Sequence, residues 1–148
     1  MADKYVANAD AVALAATTAK TVLQIATPAT IRARICALTV GFDGVTAANP
    51  AVLVELLRQT TAGTMTGVTP AALESGAPAS LVTAQKTATA EPTASTVIQT
   101  WRLTPIGGLL VIPFYGDEQP TLGVSSWMGI RCTASAIVNV NASLTFLA

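Results

Sequence analysis

The sequence predicts an all-β protein, an antiparallel two-sheet sandwich of jelly-roll type with about eight strands. Three observations predict it. The stretch Ile31 to Phe42 is long and rich in branched residues, with Thr27-Pro28 before it and Asp43-Gly44 after it. As a helix it would scatter Arg32, Arg34, Leu38 and Phe42 around the circumference and place Gly41 in the last turn. As a strand it needs no such compromise, because successive side chains alternate faces. The second observation is the end of the chain, where Val138, Val140, Ala142, Leu144 and Phe146 share one parity and Asn139, Asn141, Ser143 and Thr145 share the other. The third is the rhythm of the whole. Apolar runs are short, turn residues separate them, and no segment carries a long helical period.

Taken in order, Lys4 to Val6 reads as a short leading arm, followed by Val12 to Leu14 and Lys20 to Ala26. Pro28 stops the latter, since proline gives no ladder hydrogen bond. Ile31 to Phe42 is next, with its Cys36 to Phe42 half expected to face a core. Asp43-Gly44 is a turn signal, because glycine takes positive φ and Asp bonds to its own backbone; Ala47-Ala48-Asn49-Pro50 prolongs that loop. Val52 to Thr60 fits a strand, with Val52, Val54, Leu56 and Arg58 on one face, or a short helix capped by Asn49; its length and its neighbours favour the strand. Residues 61–80 hold three Gly and two Pro and read as a loop, with Thr69 to Glu74 able to form one helical turn. Leu81 to Ala90 is polar and threonine-rich, so a strand there is expected at an edge or solvated. Ser95 to Leu103 alternates well. Leu109 to Tyr115 is a continuous apolar run suited to a central strand. Leu122 to Ser125, Met128 to Thr133 and Ile137 to Phe146 complete the count. An immunoglobulin-like sandwich is the runner-up; Cys36, Trp101 and Cys132 are too widely spaced for that pattern. The domain reading is an N-terminal arm over residues 1–18 and one β-sandwich over residues 19–148.

Composition narrows the function. Hydrophobic residues are 51% of the chain, but the 28 alanines and 22 threonines are a third of it and charged residues only 11%. Ordinary soluble domains carry about a quarter charged residues. A surface of Thr, Ser, Ala and Asn is tolerated best where a partner covers it. Eight basic and eight acidic residues cancel, and no basic patch exists to neutralise phosphates, so nucleic acid is not an expected partner. The Ala-rich stretch Ala7 to Ala19 is broken by Asn8, Asp10, Thr17 and Thr18; neither a signal peptide nor a membrane segment is read there, and no Sec-type export is expected.

The chemistry of a site is hard to assemble. The chain has no histidine, so Ser-His-Asp and Cys-His centres are ruled out. Lys4, Lys20 and Lys86 lack a Ser-x-x-Lys context. Cys36 and Cys132 have no Cys-x-x-Cys spacing, so no zinc or iron–sulfur site is expected; they read as free thiols, bridged only if their strands are neighbours. Asp117-Glu118 is the one adjacent acidic pair and reads as a solvated turn. Gly107-Gly108 lacks the Lys-Ser/Thr and helix of a phosphate loop. Trp101 and Trp127 could stack on a sugar but read more readily as core or interface residues. The sequence therefore predicts no enzyme, no cofactor and no metal.

Several stretches carry a resemblance: Ala-Lys-Thr-Val-Leu-Gln at 19–24, Thr-Pro at 27–28, Phe-Asp-Gly at 42–44, Val-Glu-Leu-Leu-Arg at 54–58, Ile-Arg-Cys-Thr-Ala at 130–134 and Val-Asn-Val at 138–140. Together they resemble small virion structural proteins of tailed bacteriophages, of the head-decoration or accessory type. The resemblance implies a capsid-decorating or stabilising protein, made in the host cytoplasm and resident in the virion. It implies the major capsid protein or another virion protein as partner, and no catalytic residue. The alternative is a carbohydrate- or receptor-binding sandwich of a tail or head fibre. Zero net charge gives a free monomer little colloidal protection, so a homo-oligomer is expected. Analogy with phage decoration proteins makes a trimer the favoured number. The contact residues expected are Lys4, Tyr5, Val6, Val12 and Leu14, on an arm that pairs with a neighbour's sheet edge.

Overall fold

Alternating side chains build both layers of this molecule, and the places where alternation slips decide what each strand buries. The structure, a computed structural model, describes residues 2–46 and 49–148. The Ala47-Ala48 part of the expected loop lies outside the described residues. Among the described residues the chain forms twelve β-strands, one 3-10 turn at Gly116–Glu118 and no α-helix. Sheet I contains β1 (Lys4–Leu14), β3 (Ala33–Phe42), β6 (Ala71–Ala72), β9 (Leu109–Pro113), β10 (Thr121–Leu122) and β12 (Val138–Leu147). Its order is β6-β1-β12-β3, with β9 and β10 following one another along the far side of β3. Sheet II contains β2 (Lys20–Ala26), β4 (Val52–Gln59), β5 (Thr64–Val68), β7 (Thr83–Ala90), β8 (Ala94–Leu103) and β11 (Trp127–Thr133), in the order β5-β7-β2-β11-β4-β8. Every pairing between strands is antiparallel.

The two sheets pack as a sandwich. Leu23, Ile25, Leu56, Met128 and Ile130 of sheet II and Ile35, Leu38, Leu144 and Phe146 of sheet I are fully buried in one cluster. Tyr5 stacks on Phe146 with ring centroids 5.8 Å apart, and its hydroxyl donates to the Pro78 carbonyl. The sandwich matches the expectation; the strand number exceeds it. A jelly roll is an eight-stranded arrangement, whereas each sheet here has six strands. The extra strands are short. β5 and β6 lie within residues 61–80, and two to five residues carry too little pattern to stand out from turn chemistry.

Bulges explain the remaining surprises. In β1, Asp10 and Ala11 together oppose Asn141, and Ala11 takes φ 48°. The Asn141 side chain accepts the Ala11 N–H at 2.7 Å. The slip lets Tyr5, Ala7 and Ala9 face the core on one parity and Val12 and Leu14 on the other. In β3, Cys36 is the extra residue between the Ile35 and Ala37 pairings with β12. Ala33 and Ile35 are buried on one side of it and Leu38, Val40 and Phe42 on the other.

Four expectations are thereby corrected. Residues 4–14 are not an arm but an interior strand, paired with β12 and β6. Cys36 sits half-buried at a bulge instead of in the core. Leu109 to Tyr115 is an edge, because β3 has β12 on its other side and no strand flanks β9 outward among the described residues. Leu81 to Ala90 is interior, since β5 covers the edge of β7. Two smaller ones follow: the turn at Thr69 to Glu74 is strand β6, and after Leu122 the chain turns at once, with Ser125 at φ 49°. Val52 to Thr60 is a strand, as favoured.

Candidate interaction surface

The outer faces of the two sheets carry similar residue types and have opposite fates. On sheet II, Leu57, Gly129, Gln24, Gln85 and Gly67 form one cross-strand row. The segments after β4 and after β7 run together over it, joined by Thr60 N–H to the Thr93 carbonyl and Thr93 N–H to the Thr61 hydroxyl. Beneath them Thr21, Gln24, Leu57 and Gln59 are buried. Buried polar groups need partners, and here they form a directional chain. The Gln24 amide donates to Gln59 Oε1 at 2.7 Å, Gln59 donates to the Thr21 hydroxyl at 2.9 Å, and that hydroxyl donates to Glu91 at 2.7 Å. Thr21 N–H adds a second bond to the same carboxylate. Gly129 makes room, since a Cβ there would lie 2.6 Å from Gln59 Oε1. Beside this chain, Arg131 Nε meets Glu55 Oε2 at 2.8 Å. The whole arrangement is a clamp that closes the middle of this face, over β2, β4 and β11, while Gly67 and Val97 at the ends of the row stay exposed.

On sheet I no segment among the described residues closes the outer face. Its central cross-strand rows are Val6–Thr145–Ala37–Pro113, Asn8–Ser143–Thr39–Val111 and Asn141–Gly41–Leu109. None of these residues is charged. Asp10, in the bulge opposite Asn141, stands at one end of the rows and borders the trough between them, with Asp43 beyond it; Lys4 and Arg34 lie beyond the other end. A shallow trough of about 390 Å³ lies over Gly41 and Ser143, with Asn8 on one side and Leu109 on the other. The adjoining edge is apolar: Leu109 is 65% exposed, Val111 57% and Tyr115 73%. Large exposed apolar side chains grouped this way mark contact surfaces.

The residues expected to touch a partner divide. Tyr5, Val12 and Leu14 are buried in this chain's own core, so they offer nothing to a neighbour. Lys4 is exposed and Val6 half-buried, both on the open face of sheet I. The edge residues Leu109, Val111 and Tyr115 were missed, because a continuous apolar run reads as a central strand. The one available signal was Pro113, which cannot donate within a ladder and favours an edge.

The remaining candidates carry less. Trp101 pairs with Val54 and packs on the core, whereas Trp127 lies on the opposite face of sheet II beside Gln59. They form no common platform. Asp117 and Glu118 sit in the 3-10 turn with no buried neighbour in it. Among the described residues no three metal-ligating side chains gather. Cys36 and Cys132 are free and lie in different sheets. Burial, with Glu55 adding to it, pushes the Cys132 thiol up to about 12, so it stays protonated and inert near neutrality. No helix is long and apolar enough to cross a membrane among the described residues. Comparison with family models, characterised proteins and solved structures finds no match.

Proposed function

We propose that this chain is a structural protein of a bacteriophage virion, a capsid decoration or stabilising protein that acts by protein–protein contact and not by catalysis. The observation that carries the reading is the open outer face of sheet I. Its middle is uncharged and mixes small polar with apolar side chains. Such a surface can be covered without stranding a buried charge. The resemblance in strand and turn motifs supports the same reading, as does a chain with few charges and no histidine. Its partners would be copies of itself and the major capsid or another virion protein, with the virion as its location after synthesis in the host cytoplasm.

The threefold oligomer was expected by analogy with phage decoration proteins, with a free N-terminal arm as its contact. That segment is consumed by pairing with β12 and β6, so a homo-oligomer is proposed here without the arm as its mechanism. The carbohydrate-binding alternative draws no support from the tryptophans, which face opposite ways. The deciding experiment adds purified chain to capsids that lack it and follows co-sedimentation and electron-microscopic images. Regular, saturable addition is expected. Failure to add to capsids, with saturable binding to tails, fibres or glycans instead, would reject the capsid reading.

A further inference from the structure

The edge strand β9 keeps an unbroken register along β3, which leaves its outer side regular enough to pair with a copy of itself. Phe42 N–H donates to the Gly108 carbonyl and Phe114 N–H to the Cys36 carbonyl. Antiparallel ladders alternate, so Gly108, Leu110, Ile112 and Phe114 turn their main-chain groups toward β3. Leu109, Val111 and Pro113 therefore turn theirs outward, where no strand pairs with them among the described residues. These outward groups comprise the N–H and C=O of Leu109 and Val111 and the C=O of Pro113, which has no N–H to leave unpaired.

We propose that β9 pairs with β9 of a second copy, antiparallel, about a two-fold axis through Val111. In that register Val111 exchanges both main-chain bonds with its own counterpart, and each Leu109 N–H meets the other copy's Pro113 carbonyl. The side chains agree with the backbone. Tyr115 falls opposite Gly107, next to Ile106, which is 40% exposed. Gly107 belongs to the turn before β9, at φ 59°, so the Tyr115 ring would lie over that turn and against Ile106. Leu109 falls opposite Pro113, and none of these residues carries a charge that association would bury. The other long edge, β8, lacks this property. Two bulges, at Ser95 and Ile98, break its regular spacing, and bulges of that kind oppose edge pairing. A five-residue strand with two flanking side chains is smaller than the patch of about 800 Å² per partner that a stable dimer uses. The pair is accordingly a weak, concentration-dependent dimer, suited to reinforcement on a repeating shell. This inference rests on the strand geometry alone and goes beyond the proposed function.

The register gives a sharp test. Paired antiparallel residues lie about 5.5 Å apart at Cα, within disulfide range, and only a residue on the two-fold axis meets its own copy. In a Cys36→Ser background, Val111→Cys should cross-link to a covalent dimer of twice 15.0 kDa under mild oxidation. Leu109→Cys and, on β8, Val97→Cys should not. Sedimentation equilibrium of the unmodified chain from micromolar to millimolar concentration should show a monomer–dimer exchange. Tyr115→Ser, at a site exposed enough to leave the fold intact, should weaken it about tenfold. A mass that stays at 15.0 kDa throughout would overturn the proposal. So would cross-linking of Leu109→Cys as fast as that of Val111→Cys, or association indifferent to Tyr115→Ser. Capsid addition is a separate readout: its loss with the dimer intact removes the virion reading and leaves this one standing.

Discussion

The two sheets of this sandwich end in different ways. Sheet II covers its outer face with its own chain, locks that cover by the Gln24–Gln59–Thr21–Glu91 hydrogen bonds, and bulges its exposed edge β8 twice. Sheet I leaves its outer face uncovered and ends in β9, whose five residues pair with β3 in unbroken register. Both faces mix Thr, Asn or Gln and Gly with apolar side chains, although sheet II adds the Glu55–Arg131 pair and Trp127. The difference lies in where crossing segments run. A face sealed by buried hydrogen bonds is committed to the fold, whereas a face whose charges stand only at its ends, beside an apolar edge, stays open to solvent.

Two glycines sharpen that contrast most. Gly129 on the closed face has Gln59 Oε1 at 2.6 Å and the Leu23 carbonyl at 3.1 Å from where a Cβ would stand. Gly129→Val should therefore cost about 3 kcal/mol or more, by overpacking and by displacing the glutamine. Urea unfolding followed by tryptophan fluorescence measures it. A cost below about 1 kcal/mol would mean that the cover yields easily.

The next effect concerns the chain of amides. Gln59→Leu leaves the Gln24 amide and the Thr21 hydroxyl each short of a partner, and should cost about 1–3 kcal/mol. Gln85, the neighbour of Gln24 in the same row, has a buried Oε1 with no partner among the described residues. Gln85→Leu should be neutral or stabilising in the same assay, because it removes an uncompensated polar atom.

A smaller, pH-dependent effect compares the inward-facing thiol of sheet II with the bulge thiol of sheet I. Burial raises the Cys132 thiol from 9.0 to about 12. Above pH 9 the unfolded chain loses this proton while the folded chain keeps it. The contribution is whole below pH 9 and is lost as pH rises toward 12. Between those values the urea midpoint of the native chain should fall more steeply than that of Cys132→Ala. At neutral pH, iodoacetamide should label Cys36 and spare Cys132. Equal labelling would show that sheet II opens readily.

The smallest effect belongs to the second glycine. Gly41 on the open face has Leu109 Cδ1 at 3.6 Å and the Gly108 carbonyl oxygen at 3.8 Å from its Cβ position, both ordinary contacts. Gly41→Ala should change stability by no more than about 0.5 kcal/mol. A loss matching that at Gly129 would abolish the distinction between the faces.

Much of this protein was legible in its residues. Strict period-two alternation from Val138 to Phe146 specifies a strand with one buried side whatever packs against it, because side-chain direction follows directly from the extended backbone. Lys20 to Ala26 and Ser95 to Leu103 were readable as strands too, and Val52 to Thr60 took the favoured one of its two readings. The tight turn expected at Asp43-Gly44 did not form, since Gly44 has no positive φ and the Asp43 carboxylate bonds to Asn139 instead. The absence of histidine removed Ser-His-Asp and Cys-His centres before any fold was known. Three matters were decided only by tertiary structure. The first is β1, whose alternation breaks at Asp10-Ala11: a bulge stabilised by Asn141, 130 residues away, turns two out-of-phase halves to one core. The second is strand position. An apolar run such as Leu109 to Pro113 has the same local preference at a sheet's centre and at its edge, and only the neighbours of β3 place it outermost. The third is the fate of the outer faces, since whether Gln24 and Gln59 meet water depends on two distant segments that cross above them. Local backbone preference acts over a few residues and is written in sequence order. Which strand lies beside which, and what covers it, depends on contacts between residues far apart in the chain.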